Sequence, residues 1–302
     1  MILFVAAMKN LELRRIVIFL AFTFSVTYAW TIFLIWPRVF AAPVALTQEE
    51  VALRATLTAA LMFFPAIGVL FTRLVTGEGF KNSMLRLNLR GNVRFYLVAW
   101  FGPIILTFWG AIVYFSIFSA EFTLAQFCNL PSEKVVMMAF TVFMMFLSPL
   151  LNIVPCFGEE WGWRGYLFPK VASRMKFLPA VLFTGFIWGI WHAPIIVAGH
   201  NYGLDYWGYP WLGIMAMCIF CIVVGVLFSY VTLRTSSCWP AVLAHGALNG
   251  SAGIGMLFYN YSNAGSGVLN SFIGPLPVGI IGGVAYIAVA LWIVRKMYKV
   301  NK

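Results

Sequence analysis

Along most of the chain apolar residues follow one another without the periodic polar positions that give a soluble helix its wet face. A helix needs roughly 20 apolar residues to cross the hydrocarbon layer of a bilayer. Runs of about that length lie at 16–36, 55–76, 95–118, 135–157, 178–199, 211–233, 239–258 and 275–294, with polar clusters between them. The pattern predicts an all-α fold: a polytopic membrane helix bundle with about eight transmembrane helices, forming a single membrane domain over 1–302. Arg14 and Arg15 precede the first run and Ala41-Ala42 follow it, as at a signal peptide. Its apolar core is too long for a signal h-region, so it is expected to be an uncleaved first span.

Composition removes the other classes. The chain is 62% hydrophobic and 10% charged, against about 25% charged in an average soluble domain, which excludes a water-soluble fold, disorder and a disulfide scaffold. The formal charge of +11 would suggest nucleic acid in a soluble protein. Here its distribution points elsewhere, and no nucleic-acid partner is expected. Lys9, Arg14 and Arg15 precede the first run. Arg73, Lys81, Arg86, Arg90 and Arg94 flank the second connection, Arg164, Lys170, Arg174 and Lys176 the fourth, and Arg234 the sixth. Arg295, Lys296, Lys299 and Lys302 end the chain. The odd-numbered connections hold only Arg38, Arg54 and Lys134. By the positive-inside rule this is an integral membrane protein with both termini cytoplasmic. Segment 81–94 carries Arg86, Arg90 and Arg94 at four-residue spacing among leucines; it suits either a basic helix lying at the lipid headgroups or a solvated basic loop. Of the five cysteines, Cys218 and Cys221 form a C-x-x-C inside an apolar run, where small buried hydrophobes are expected rather than a redox or metal pair.

Ionisable groups in hydrocarbon cost about 2.5–3.5 kcal/mol each on insertion scales, so those inside the runs need a reason. Glu159 and Glu160 end the fourth run, His192 lies in the fifth, and His245 with Asn249 lies in the seventh. On a helix Glu160 and Arg164 are one turn apart and can pair, while Glu159 points about 100° away. His245 and Asn249 likewise share a face. Each group alone also suits an ordinary anchoring or interhelical contact. Together, on three separate runs, they supply a base for water, oxyanion donors and a candidate metal set, the inventory of hydrolysis. Neither G-x-S-x-G nor H-E-x-x-H occurs. Depth raises a difficulty: at 1.5 Å per residue His192 lies about 21 Å from the start of its run and His245 about 10 Å from the start of its own.

The succession E-E-x-x-x-R (Glu159, Glu160, Arg164), aromatic-x-x-x-H (Trp188, His192) and H-x-x-x-N (His245, Asn249) resembles the CPBP intramembrane protease family. That family contains the type II CAAX prenyl endopeptidases and bacteriocin-processing or immunity proteins. The resemblance covers roughly 135–258, the motif-bearing core; Trp188 stands where Phe is common, and the first three runs match no motif. It implies an eight-helix bundle with an intramembrane site open toward the cytoplasm. In that scheme Glu159 is the general base assisted by His192, His245 and Asn249 stabilise the oxyanion, and Glu160 and Arg164 shape the site and hold the peptide. It also implies a CAAX-processing type of peptidase acting on a peptide or lipid-modified protein among membrane lipids. Glu159, His192 and His245 are the candidate ligands if zinc takes part; the same groups can act as a metal-free glutamate protease, and no tightly bound structural metal is expected. The competing readings are a non-catalytic member that sequesters a hydrophobic peptide to confer immunity, a bis-histidine haem protein using His192 and His245, and a transporter.

Overall fold

The computed structural model describes residues 2–41, 47–127, 131–262 and 272–300. The described residues are helical, with no β-sheet among them beyond a single bridge between Phe122 and Tyr259. Helix α1 (Ile2–Trp30) continues through a π-helical turn (Thr31–Ile35) into Trp36–Phe40. Then come α2 (Gln48–Leu61), α3 (Phe64–Val75), α4 (Val93–Ile117) and α5 (Ser132–Leu151). Helix α6 (Ile153–Gly162) passes through a π-helical turn (Trp163–Leu167) into Phe168–Ala172. The chain proceeds through α7 (Phe177–Trp191), α8 (Ala193–Val197), α9 (Trp211–Thr235), α10 (Trp239–Ser251) and α11 (Val284–Val300).

Among the described residues, six helical stretches are long and apolar enough to cross a membrane: Asn10–Phe40, Gln48–Val75, Val93–Ile117, Lys134–Leu151, Trp211–Thr235 and Trp239–Phe258. Prolines explain where the other runs depart from the expected spans. Pro149 and Asn152 close α5, so the Glu159–Glu160 pair sits inside a separate helix rather than at the end of a span. The missing N–H of Pro194 breaks the fifth run at His192, leaving the 15-residue α7 followed by α8. Residues 274–283, with Pro275 and Pro277, make turns, and regular helix begins only at Val284.

The connections sort to two ends. At one, Lys170 bonds to Glu12 and Glu78, and Tyr166 Oη donates to Glu78 Oε2 at 2.7 Å. There too the Cys238 amide donates to the Met84 carbonyl at 2.9 Å. At the other end, the Asn260 amide donates to the Glu121 carbonyl at 2.7 Å, Tyr202 stacks on Phe272, and Trp36 Nε1 donates to the Pro194 carbonyl at 2.8 Å. The N-terminal segment and the even-numbered, basic connections therefore share one end. Of the two readings of 81–94, the loop is the one observed. Asn82, Met84, Asn88 and Gly91 all have positive φ, which breaks a right-handed helix, and Arg94 alone lies in α4.

Helix α9 is the spine of the bundle, packed against α7, α10, α11 and α4. Its approach to α7 depends on glycine: a Cβ on Gly189 would lie 2.4 Å from the Cys218 Cα, and one on Gly185 2.7 Å from the Ile222 Cα. Cys156, Cys218, Cys221 and Cys238 are buried free thiols, in keeping with a packing role, while Cys128 lies outside the described residues. Gly189→Ala is expected to cost the fold about 1–3 kcal/mol, the usual range for overpacking, seen as a lower melting temperature in detergent. Gly102→Ala, whose new methyl meets only Val98 at 3.8 Å, should leave melting unchanged.

Candidate active site

Helix α6 reaches the middle of the bundle because one of its faces is glycine. A Cβ on Gly158 would meet the Met62 carbonyl at 2.4 Å, and one on Gly162 the Pro65 Cβ at 2.4 Å, so α6 lies directly on the junction of α2 and α3. The neighbouring Glu159 and Glu160 then point inward, 3% and 0% exposed. Glu160 Oε1 accepts from Arg164 Nη1 at 3.0 Å and from His245 Nδ1 at 2.9 Å. Arg164 belongs to the π-helical turn that follows α6, a feature frequent at functional sites. Its guanidinium lies over the Trp188 ring, 4.0 Å from the centroid, with Phe228 at 5.1 Å.

Glu159 is held differently. Its Oε2 accepts the indole N–H of Trp188 at 2.8 Å, so one carboxylate is neutralised by an ion pair and the other is met by a neutral donor. Two carboxylates face one guanidinium here, and His245 Nδ1 meets the same Glu160 oxygen that Arg164 does. A buried charge left unpaired is costly, which ties these four side chains into one unit. The Trp188 ring also lies 5.7 Å from the rings of both His192 and His245.

His192 occupies the joint between α7 and α8. Its Nδ1 lies 2.8 Å from the Trp188 carbonyl, which can only accept, so Nδ1 carries the proton and Nε2 is the free acceptor of the neutral ring. This accounts for the depth difficulty: Trp188, one turn nearer the start of α7, meets Glu159 and His245, and His192 joins them through Trp188. Cys221 Sγ of α9 lies 3.9 Å from His192 Nδ1. Asn249, one turn beyond His245 on α10, is exposed and directs its amide at Cys156 Sγ, 3.9 Å away. The seven motif residues thus fall on α6 with its π turn, α7 with its joint, and α10. Glu159, Glu160, Arg164, Trp188 and His245 form one contact group, His192 borders it, and Asn249 lies at its accessible rim.

Among the described residues no three His, Cys, Asp or Glu side chains stand close enough to hold one metal ion. Glu159, His192 and His245 therefore do not stand as one three-ligand cluster in this arrangement, and Trp188 contacts all three.

Residues 139–251 match the family described as Type II CAAX prenyl endopeptidase Rce1-like. The chain carries a CAAX-protease-like region. That region runs from within α5 to the end of α10 and takes in every motif residue. A curated relative, CAAX prenyl protease 2 of Methanococcus maripaludis, is 28% identical over 93 residues, which is 30% of this chain. The matched segment covers 34% of that relative's length. Helices α1–α4 and α11 lie outside the CAAX-protease-like region, yet α3 supplies the surface on which α6 rests.

Sequence reading singled out Trp188 only as the aromatic of its motif; the role of its N–H as a donor to Glu159 had no signal in one sequence. Phe228, from the motif-free α9, was missed for the same reason, and Cys221 of that helix was read only as a small buried hydrophobe. Trp188→Phe keeps a ring beneath Arg164 but deletes the donor and one ring of the buried indole. It is expected to destabilise the protein by at least about 1.5–3 kcal/mol, the range for a hydrogen bond to a charged group alone, with the cavity adding to it. Trp188→Leu also loses the stacking of a desolvated cation, about 2 kcal/mol more. Melting of the two variants in the same detergent separates the contributions.

Proposed function

We propose that this protein is an intramembrane endopeptidase with eight spans and cytoplasmic termini, hydrolysing a peptide bond near the cytoplasmic membrane face. The observation that carries this reading is the Glu159–Trp188 and Glu160–Arg164–His245 contact group, built from three helical elements of the CAAX-protease-like region inside an apolar bundle. Glu159 takes a proton from the attacking water and passes it to the leaving amine. His192, with Nε2 free, assists by holding that water. His245, whose Nδ1–H is given to Glu160, donates from Nε2 to the tetrahedral oxyanion when it carries the second proton, and Asn249 adds its amide from the rim. Glu160 and Arg164 fix His245 and the floor of the site and hold the peptide. The proposed substrate is a peptide or lipid-modified protein of the CAAX type, presented from the surrounding lipid.

The second reading, a non-catalytic binder that sequesters a hydrophobic peptide, draws on the near-complete burial of both carboxylates. One comparison separates the two. Membrane proteomes of cells producing the intact protein or its Glu159→Gln variant are searched for shifted peptide termini. The peptidase reading expects a new terminus with the intact chain alone. Identical termini, with the biological phenotype kept in both, would favour the binder.

A further inference from the structure

The connection between α3 and α4 is a strap laid across the end of the site-bearing helices. Three successive carbonyls fix it: Ser83 accepts from Trp161 Nε1 at 3.0 Å, Met84 from the Cys238 amide at 2.9 Å, and Leu85 from Trp239 Nε1 at 2.8 Å. Asn88 Nδ2 donates to the carbonyls of Thr235 and Ser236 at 3.0 and 3.1 Å. Between the strap and the Ser236 turn lies a cavity of about 1080 Å³, lined by Lys81, Asn82, Ser83, Arg86, Asn88 and Ser236 among others. Its polar lining is made of cations, amides and hydroxyls.

The charge of this place is unbalanced. No Asp or Glu occurs between Gly79 and Ala120. Among the described residues Lys81, Arg86, Arg90 and Arg94 form no ion pair, and all four are exposed. Glu78, the acid next to the strap, already faces Arg15, Arg73 and Lys170 and accepts from Tyr166. Exposed apolar side chains alternate with these bases: Phe80, Leu87, Leu89 and Val93 are each about half exposed. The strap joins two membrane-crossing stretches, Gln48–Val75 and Val93–Ile117, so it lies at the edge of the bilayer. Bases around a cavity that Phe80, Met84 and Leu85 also line, interleaved with apolar side chains at that level, match the two ends of one molecule: an anionic headgroup and its acyl chains.

We infer that the strap and the Ser236 turn form a binding site for the headgroup of an anionic phospholipid, with Lys81 and Arg86 on the phosphate and the acyl chains against Leu87, Leu89 and Val93. An acidic peptide would satisfy the bases but would leave those apolar side chains unmatched. The site is distinct from the Glu159 group and does not depend on any cleavage. The two are linked along α6 all the same: Phe157, two residues before Glu159, stacks between Trp161 and Trp239, the two indoles that hold the strap, at 5.5 and 5.1 Å.

The full chain, purified in neutral detergent, is titrated with phosphatidylglycerol or phosphatidylcholine, and bound lipid is read by native mass spectrometry. Each base near an anionic surface is worth on the order of fivefold in affinity, so Lys81→Gln with Arg86→Gln should weaken phosphatidylglycerol binding ~30-fold. Arg295→Gln with Lys299→Gln, at the far end of the sequence, should leave it unchanged. Both lysine and arginine are exposed, and an unaltered melting temperature without lipid checks that the strap variant is folded. Undiminished binding in that variant, or equal binding of phosphatidylcholine, overturns the proposal. Displacement of the lipid by inorganic phosphate or by a polyglutamate peptide at similar concentration also overturns it, marking a site for soluble anions or an acidic segment.

Discussion

Glu159→Gln is expected to lower peptide cleavage by about 10²–10⁴-fold, the usual contribution of a positioned general base, while leaving the protein folded and membrane-inserted. The substitution suits the test because it is nearly isosteric. The Gln amide oxygen can still accept the Trp188 indole N–H, now 2.8 Å from Glu159 Oε2, so the contact group keeps its shape and loses only the capacity to take a proton. Single-turnover cleavage of a peptide released by the intact protein, together with melting in the same detergent, reads both halves of the expectation. Full activity in the variant would remove Glu159 from the chemistry. Loss of activity accompanied by a large drop in melting temperature would instead assign the side chain to structure. The neighbouring Glu160 gives the contrast, because its Oε1 is shared by Arg164 and His245: Glu160→Gln should lower stability as well as activity. Two adjacent carboxylates with separable phenotypes are what their different partners require.

The helical, membrane-crossing character of the chain was legible because it depends on run length alone, a property of contiguous residues. The exact helices were less so. Pro149, Pro194, Pro275 and Pro277 sit inside apolar runs that hydropathy joins into single spans, whereas the backbone breaks or turns at or near each of them. The partners of the site residues were readable only within one helix: Glu160 and Arg164, four apart, are paired at 3.0 Å. Contacts between helices depend on how each is rotated against its neighbour, which no single sequence specifies. Thus the donation from Trp188 to Glu159 and that from His245 to Glu160 emerge only once Gly158, Gly162, Gly185 and Gly189 have set how closely α6 and α7 pack. The strap was hidden for another reason. Its anchors are the carbonyls of Ser83, Met84 and Leu85, and a backbone acceptor leaves no mark on residue type.

The largest loss of stability is expected from Arg164→Met. Arg164 is 3% exposed and Glu160 fully buried, and removing one partner of a buried ion pair typically costs about 3–5 kcal/mol, because the remaining charge has neither water nor counter-ion. Glu160 would keep only His245, at 2.9 Å. Trp188 and Phe228 would lose the cation now seated 4.0 and 5.1 Å from their ring centroids. Methionine fills most of the vacated volume, so the change reports charge more than cavity. The partner variant decides between the explanations. If the penalty arises from the stranded carboxylate, Glu160→Gln with Arg164→Met should be more stable than Arg164→Met alone, and a double-mutant cycle on melting in detergent should show coupling well above ~0.5 kcal/mol, the level at which independent sites simply add. Additive losses would mean that Arg164 acts through its stacking on Trp188. In that case the buried pair contributes little to stability, and its place in the site rests on orienting His245.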